Sequence, residues 1–288
     1  FYGVNCLKNS KNKKKLARAQ PYDLKDQIKK LLELNKKNKL NVFVGAGVSV
    51  SCGLPDWAKL LGRLRSEIQM YRLEISDEVD LANQARDAFG DKFNQVVASS
   101  LYQDGVQISE TALAVSKLGV KNIICFNFDD ILEEVYKLEM IPHNVVLNGE
   151  KFNQNREHTT IFHPHGYLGR FDSADELCKS PIVLSHSDYE NLYRDHYCLT
   201  NLIQLSMLLT KSNLFIGMSM TDPNIERLLK KAREVGVSHR HYSLMKRQSE
   251  EFVKSETQRL RDLGVDPVWF QDYSDLPKIL SSISKSKK

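Results

Sequence analysis

Apolar positions along this chain switch repeatedly between helical and strand-like spacing. From Tyr22 to Leu40, Leu24, Ile28, Leu31 and Leu32 recur at helical intervals behind Pro21 and Asp23, which predicts a helix ahead of the first strand. Asn41 to Val44 (NVFV) is a short apolar strand that runs into Gly45-Ala46-Gly47. Helical spacing returns from Trp57 to Glu74 through Leu60, Leu61, Leu64 and Ile68. Residues 78 to 118 hold only helical patterns and polar breaks, with Gly119 as a C-cap, so a helical insertion is expected at about 75–118. Next come a buried-type strand Asn122 to Phe126, a helix from Asp130 to Lys137, a loop-rich stretch, and a strand Thr160 to His163. Beyond it the pattern predicts a short strand Ile182 to Leu184, a long helix Tyr189 to Leu209 and a strand Asn213 to Met218. Asp222-Pro223 reads as an N-cap followed by Pro at the first position of a helix reaching Val235. Strand Tyr242 to Met245, helix Glu250 to Leu263, strand Val268 to Phe270 and a closing helix Leu276 to Ile283 complete the series. Repeated alternation of this kind implies an α/β fold, a doubly wound parallel sheet of Rossmann-like type carrying a helical insertion.

Composition narrows the class. With 41% hydrophobic and 27% charged residues in 288, the chain has enough apolar material for a large core without metal or disulfide staples. Cys6, Cys52, Cys125, Cys178 and Cys198 are too widely spaced for a zinc knuckle or a disulfide framework, so a reduced, cytoplasmic setting and no bound metal are expected. The longest uncharged stretch beyond the middle of the chain, Tyr197 to Thr210, is too short to span a membrane and is interrupted by Gln204. The net charge of +5 is local: residues 1–40 carry 12 Lys/Arg against 3 Asp/Glu, leaving the remainder mildly acidic. The chain therefore divides into a basic arm and leading helix (1–40), the α/β domain (41–284) and a basic tail (285–288). Nucleic-acid binding would rest on the arm alone, where Lys11 to Arg18 (KNKKKLAR) also fits a solvated run.

Candidate chemistry gathers at the predicted carboxyl ends of strands, where ligands bind in such sheets. VFVGAGVSVSCGLP follows the first strand, but Val50 occupies the third glycine position of a dinucleotide fingerprint, so a tight turn and a phosphate cradle fit equally. After the next strand, Asn127 can both donate and accept, while Asp129 or Asp130 can cap the following helix, Asp130 being the favoured cap. Phe162-His163-Pro164-His165-Gly166 puts two histidines beyond a third strand end, and Gly217-Met218-Ser219-Met220-Thr221-Asp222 leads a fourth strand into a helix.

Taken in order, GAGVS with GLPDW, FNFDD, HPHG and GMSMTDP resemble the sirtuin-like family, most closely its bacterial Thoeris-type antiphage effectors, which hydrolyse NAD. The likeness runs from about Asn41 to Ile283. It implies that Gly45, Ala46, Gly47 and Ser49 line the NAD phosphates and adjoining ribose, and that Asn127 and Asp129 sit at the nicotinamide-side ribose. By the same resemblance Ser219 lines the nucleotide, Asn127 and His165 are catalytic, and His163 is not, because the family histidine immediately precedes Gly. Sirtuin deacylases carry a four-cysteine zinc module after this segment, whereas here the interval has only Cys178 and Cys198. The activity implied is therefore NAD glycohydrolysis to nicotinamide and ADP-ribose, in a regulated, NAD-depleting defence effector of the abortive-infection kind. The alternative is a sirtuin-like nucleotide-binding or oligomer-forming module with little hydrolysis. NAD is expected as substrate, and a homo-oligomer or a regulatory subunit as partner.

Overall fold

The structure, a computed structural model, describes residues 23–70, 81–150 and 157–285. Most of the basic arm, the last residues of the basic tail and the start of the insertion lie outside the described residues. Among the described residues, seven strands form one parallel sheet: β1 (Leu40–Val44), β2 (Asn122–Cys125), β3 (His143–Leu147), β4 (Thr159–His163), β5 (Ser212–Ile216), β6 (His241–Lys246) and β7 (Val265–Phe270). Their order is β3-β4-β2-β1-β5-β6-β7. β1 lies in the middle, with Val42 opposite Ile123 of β2 on one side and Leu214 of β5 on the other.

Strand periodicity distributes the core. Val42, Val44, Ile123, Cys125, Leu214 and Ile216 pack on one face with Leu31, Val115, Val135 and Leu280. Their sequence neighbours Phe43, Ile124 and Phe215 pack on the other, with Leu208, Leu228 and Leu260. Strands covered by helices on both faces bury nearly every position, which is why VFV and IIC are unbroken apolar runs, while Asn41 and Asn122 near their starts are buried and bonded to each other at 3.3 Å. A third cluster joins the helices Trp57–Met70, Leu81–Phe89 and Phe93–Tyr102 to Leu168, Ile182 and Leu184.

Three expectations are corrected. Ile182 to Leu184 forms no strand; Ile182 and Leu184 instead plug the third cluster, and Val183 N–H donates to the His165 carbonyl at 2.9 Å. The expected long helix is two, His186–Arg194 and Leu199–Thr210, because the Asp195 carboxylate accepts the Tyr197 N–H at 2.8 Å in a local turn. The stretch expected to be a loop contains β3, a half-buried edge strand. Asp222 does cap Pro223–Glu234, its carboxylate accepting the Ile225 N–H.

Candidate functional site

All four motifs meet at the carboxyl ends of the adjacent strands β4, β2, β1 and β5. After β1 the backbone turns at Gly45 into the short helix Ala46–Val50, and after β5 it turns at Gly217, whose φ is +67°. The two turns are stitched together: Gly45 N–H donates to the Ile216 carbonyl at 3.0 Å and Gly47 N–H to the Gly217 carbonyl at 2.9 Å. A Cβ on Gly45 would lie 2.8 Å from the Gly217 oxygen. The glycines are therefore required for backbone contact between neighbouring strand ends. Ala46 and Gly47 remain exposed at the rim.

Beneath that rim runs a buried polar chain. Asn127 Nδ2 donates to Ser49 Oγ at 2.7 Å and to the Gly45 carbonyl at 3.2 Å, so its amide hydrogens are directed at the protein and its Oδ1 is turned away from both contacts. The Ser49 hydroxyl faces the Asp129 carboxylate and favours its ionised form. Burial pushes the Asp129 pKa up to about 6, against the opposing influence of Ser49 and the Ile131 N–H. Asp129, not Asp130, is the capping carboxylate, accepting the Ile131 N–H at 3.1 Å. Asp130 instead accepts the Arg170 N–H at 2.7 Å and the Tyr102 hydroxyl at 3.3 Å, tying the loop after β4 to the helical layer.

His165 lies one strand away. Its Nε2 is 2.9 Å from the Tyr193 hydroxyl, and the rings of Phe126, Tyr189 and Tyr193 meet it edge-on at 5.1, 6.1 and 5.9 Å. This apolar enclosure lowers its pKa to about 4 by burial, so the imidazole is neutral across the physiological range. Gly166 follows at φ +74°, where a Cβ would fall 1.7 Å from the Pro181 carbonyl, so the His-Gly pair is sterically enforced.

The structure thus brings Gly45, Gly47, Ser49, Asn127 and Asp129 into one set, with His165 beside it against Phe126. Ser219 is less integrated: it is exposed and its hydroxyl pairs with Thr221 at 2.7 Å. A separate surface cavity of about 690 Å³ is bordered by Tyr197, Leu202, Thr221, Pro223 and Arg227 and by none of these residues. Tyr189 and Tyr193 escape sequence reasoning; both sit on the helix His186–Arg194, and four-residue spacing of aromatics looks like ordinary core.

Comparison with known proteins places this arrangement. A family profile described as SIR2-like domain matches residues 121–268, just over half of the chain and including Asn127, Asp129, His165 and Ser219. The chain belongs to this SIR2-like family. It is 30% identical over 291 residues to a protein named NAD(+) hydrolase ThsA from Enterococcus faecium, covering 91% of this chain and 59% of that protein. A ThsA of the same name from Bacillus cereus (strain MSX-D12) is 25% identical over 288 residues, covering 92% and 57%. Defense-associated sirtuin 2 of Bacillus subtilis is 20% identical over 234 residues, covering 80% of this chain and 23% of that one. The chain therefore spans less than two thirds of the length of these curated relatives. A solved Sir2 enzyme structure, described as "Structural Basis for the Mechanism and Regulation of Sir2 Enzymes", superposes with a TM-score of 0.51 at 15% identity, over 90% of this chain and 97% of that one, and shares the fold. Among the described residues no helix is long and apolar enough to cross a membrane, and no group of three or more His, Cys, Asp or Glu side chains is placed to hold a metal ion.

Proposed function

We propose that this SIR2-like chain is an NAD glycohydrolase that cleaves the nicotinamide–ribose bond. The observation that carries the reading is the pairing of a neutral, buried His165 with an Asn127 whose Nδ2 is anchored on Gly45 and Ser49, at neighbouring strand ends. The names of the ThsA relatives support the same activity.

Nicotinamide leaves NAD as a neutral molecule while positive charge grows on the ribose, so the protein needs no strong nucleophile. It must hold the ribose, position water and accept a proton. The exposed rim at Ala46 offers its backbone N–H to the diphosphate, while the Gly47 N–H is held by the Gly217 carbonyl. Asn127 presents Oδ1 to the ribose hydroxyls or the attacking water, and Asp129 faces Ser49 behind it. Neutral His165 accepts the proton released as water adds to the anomeric carbon. Water capture gives ADP-ribose, and capture by the adenine ring gives a cyclic product. Ser219 lines the nucleotide from the β5 side.

In the cell this chain acts in the cytoplasm as a defence effector that depletes NAD, and self-association or a partner subunit restrains it, because an unrestrained NADase drains its own host. The deciding experiment is incubation of the purified chain with NAD, followed by product analysis. Nicotinamide and ADP-ribose should appear in the parent and be lost in Asn127→Ala and His165→Ala. Tight NAD binding with no turnover in any oligomeric state would replace this reading with that of a nucleotide-binding module.

A further inference from the structure

His163, two residues before His165 and facing away from the aromatic enclosure, has no part in the chemistry above. It is 0% exposed. Its Nε2 lies 2.7 Å from Glu133 Oε1, in the first turn of the helix Ile131–Leu138, and its Nδ1 lies 3.3 Å from the Asn127 carbonyl oxygen. Glu133 is itself 3% exposed, and its second carboxylate oxygen has no protein partner. A carboxylate and a peptide carbonyl are both acceptors, while a neutral imidazole carries one N–H. Both contacts are made at once only by the imidazolium form, with Glu133 as its counter-ion.

A buried ion pair of this kind is a weak source of stability, since apolar side chains of equal volume usually do as well. Its location says more. One end grips the backbone of Asn127, and the other is fixed to the helix that Asn127 and Asp129 lead into. His163 itself ends the strand that delivers His165.

We propose that Glu133 and His163 are positioning residues: the His163 imidazolium, held by Glu133, clamps the Asn127 carbonyl and so sets the aim of the Asn127 side chain relative to His165. This rests on the NAD glycohydrolase reading, in which those two residues do the chemistry. Burial alone lowers the His163 pKa, but the charge and hydrogen bond of Glu133, the Asn127 carbonyl and Asp129 outweigh it, and the direction is upward. The other titratable groups that surround the pair are Cys125 on β2, Asp130 after it, Tyr136 on the Glu133 helix and Tyr167, whose ring lies 5.2 Å from that of His163.

Glu133→Gln keeps the shape and removes the counter-ion. His163 then becomes neutral, and the tautomer that satisfies both neighbours accepts the new carboxamide N–H at Nε2 and keeps its Nδ1–H on the Asn127 carbonyl, so this variant removes the charge and leaves the donor. A second pair of variants separates the donor from the charge. In Glu133→Gln/His163→Asn the Asn amide nitrogen takes the place of Nδ1 and again donates to the Asn127 carbonyl. Glu133→Gln/His163→Leu has nearly the same volume and no donor.

The experiment is steady-state NAD turnover together with ¹⁵N spectra of the histidine rings and the Asn127 carboxamide. In the parent both His163 ring nitrogens should carry protons at neutral pH. The Leu double variant should lose about 10-fold or more in kcat relative to Glu133→Gln with little change in KM, and the Asn double variant should keep most of the kcat of Glu133→Gln. If Glu133→Gln does not fold, the comparison of the two double variants stands alone. Equal kcat in the two double variants, or a neutral His163 in the parent, would overturn the proposal. If the parent does not hydrolyse NAD, or Asn127→Ala leaves turnover intact, the functional reading has failed instead. The clamp is then decided by the Asn127 carboxamide resonance, which should differ between the Asn and Leu double variants and whose identity in both refutes it.

Discussion

Gly47 and Gly217 stand back to back across the junction of β1 and β5: the Gly47 N–H donates to the Gly217 carbonyl at 2.9 Å, and a Cβ on Gly47 would lie 2.8 Å from the Gly217 Cα. The obstacle is backbone, which cannot swing aside. Gly47→Ala should therefore lower stability by about 1–3 kcal/mol and weaken NAD binding. Gly62→Ala is the control, because it lies inside the helix Trp57–Met70 with open space where its Cβ would go, and it should raise stability by up to about 1 kcal/mol. Urea unfolding and NAD titration of both variants check this; a Gly47→Ala protein as stable as the parent would refute the close approach.

Asn127→Ala and His165→Ala should each slow single-turnover NAD cleavage by about 10²-fold or more while leaving the circular dichroism spectrum unchanged. Both side chains are buried but polar, so their removal costs contacts at the strand ends and little apolar packing. His163→Ala is a poor silent control, since it strands the Glu133 carboxylate in the interior, and its loss of activity has to be read against its loss of stability. Full turnover in His165→Ala would remove that residue from the mechanism.

Tyr193→Phe keeps the ring against His165 and Tyr189 but takes away the hydroxyl at His165 Nε2. The imidazole then loses the contact that fixes its orientation. Turnover should fall by about 10-fold with KM nearly unchanged, which steady-state kinetics will read directly. A fall confined to KM would mean that Tyr193 serves binding and not the orientation of His165.

Acid should act on this protein through buried histidines. Burial holds His165 at about 4 and His241 at about 3, both below the ordinary imidazole value of 6.5, so the unfolded chain takes up these protons first. The stability they contribute is complete above pH 6.5 and drains away as pH falls through about 4 and then about 3. Asp129 has the opposite sign: raised from 3.8 to about 6, it favours the fold most below 3.8 and loses that advantage as pH climbs through 6. His241→Asn retains an acceptor for the Asn213 N–H, which lies 3.2 Å from Nδ1 in the parent. Unfolding free energies measured at about pH 7.5 and about pH 4.5 should differ less in this variant than in the parent, and Asp129→Asn should gain stability near neutrality. The acid limb of kcat/KM governed by His165 should fall near pH 4 and not near 6.5.

Strands buried on both faces are the most legible part of the sequence, because VFV, IIC and LFI have no polar interruption for a helix surface to use. The pattern marks β7 only from Val268 because Asp266-Pro267 looks like a turn. In the structure Asp266 pairs with Arg240 at 2.9 Å, and Pro267 sits on an edge strand, where a missing N–H costs little. β3 escapes the pattern for a related reason: it lies at the other edge of the sheet, where four of its five positions are only half buried. At the candidate site, residues next to glycine turns can be found by motif. Tyr193 and Glu133 cannot, since each reaches its histidine from a different helix and nothing in linear spacing records the meeting.

The central place of β1 also bears on how a cell makes such a protein safely. Leu40 pairs with Ser212, and Gly47 is fixed by Gly217, so the first glycine turn is braced only after some 170 further residues have been translated. His165 likewise waits for Tyr193. A ribosome-bound fragment ending before β5 has a flank of its innermost strand unpaired and lacks one wall of the crevice. The crevice therefore cannot assemble before β5 and the Gly217 turn have left the ribosome.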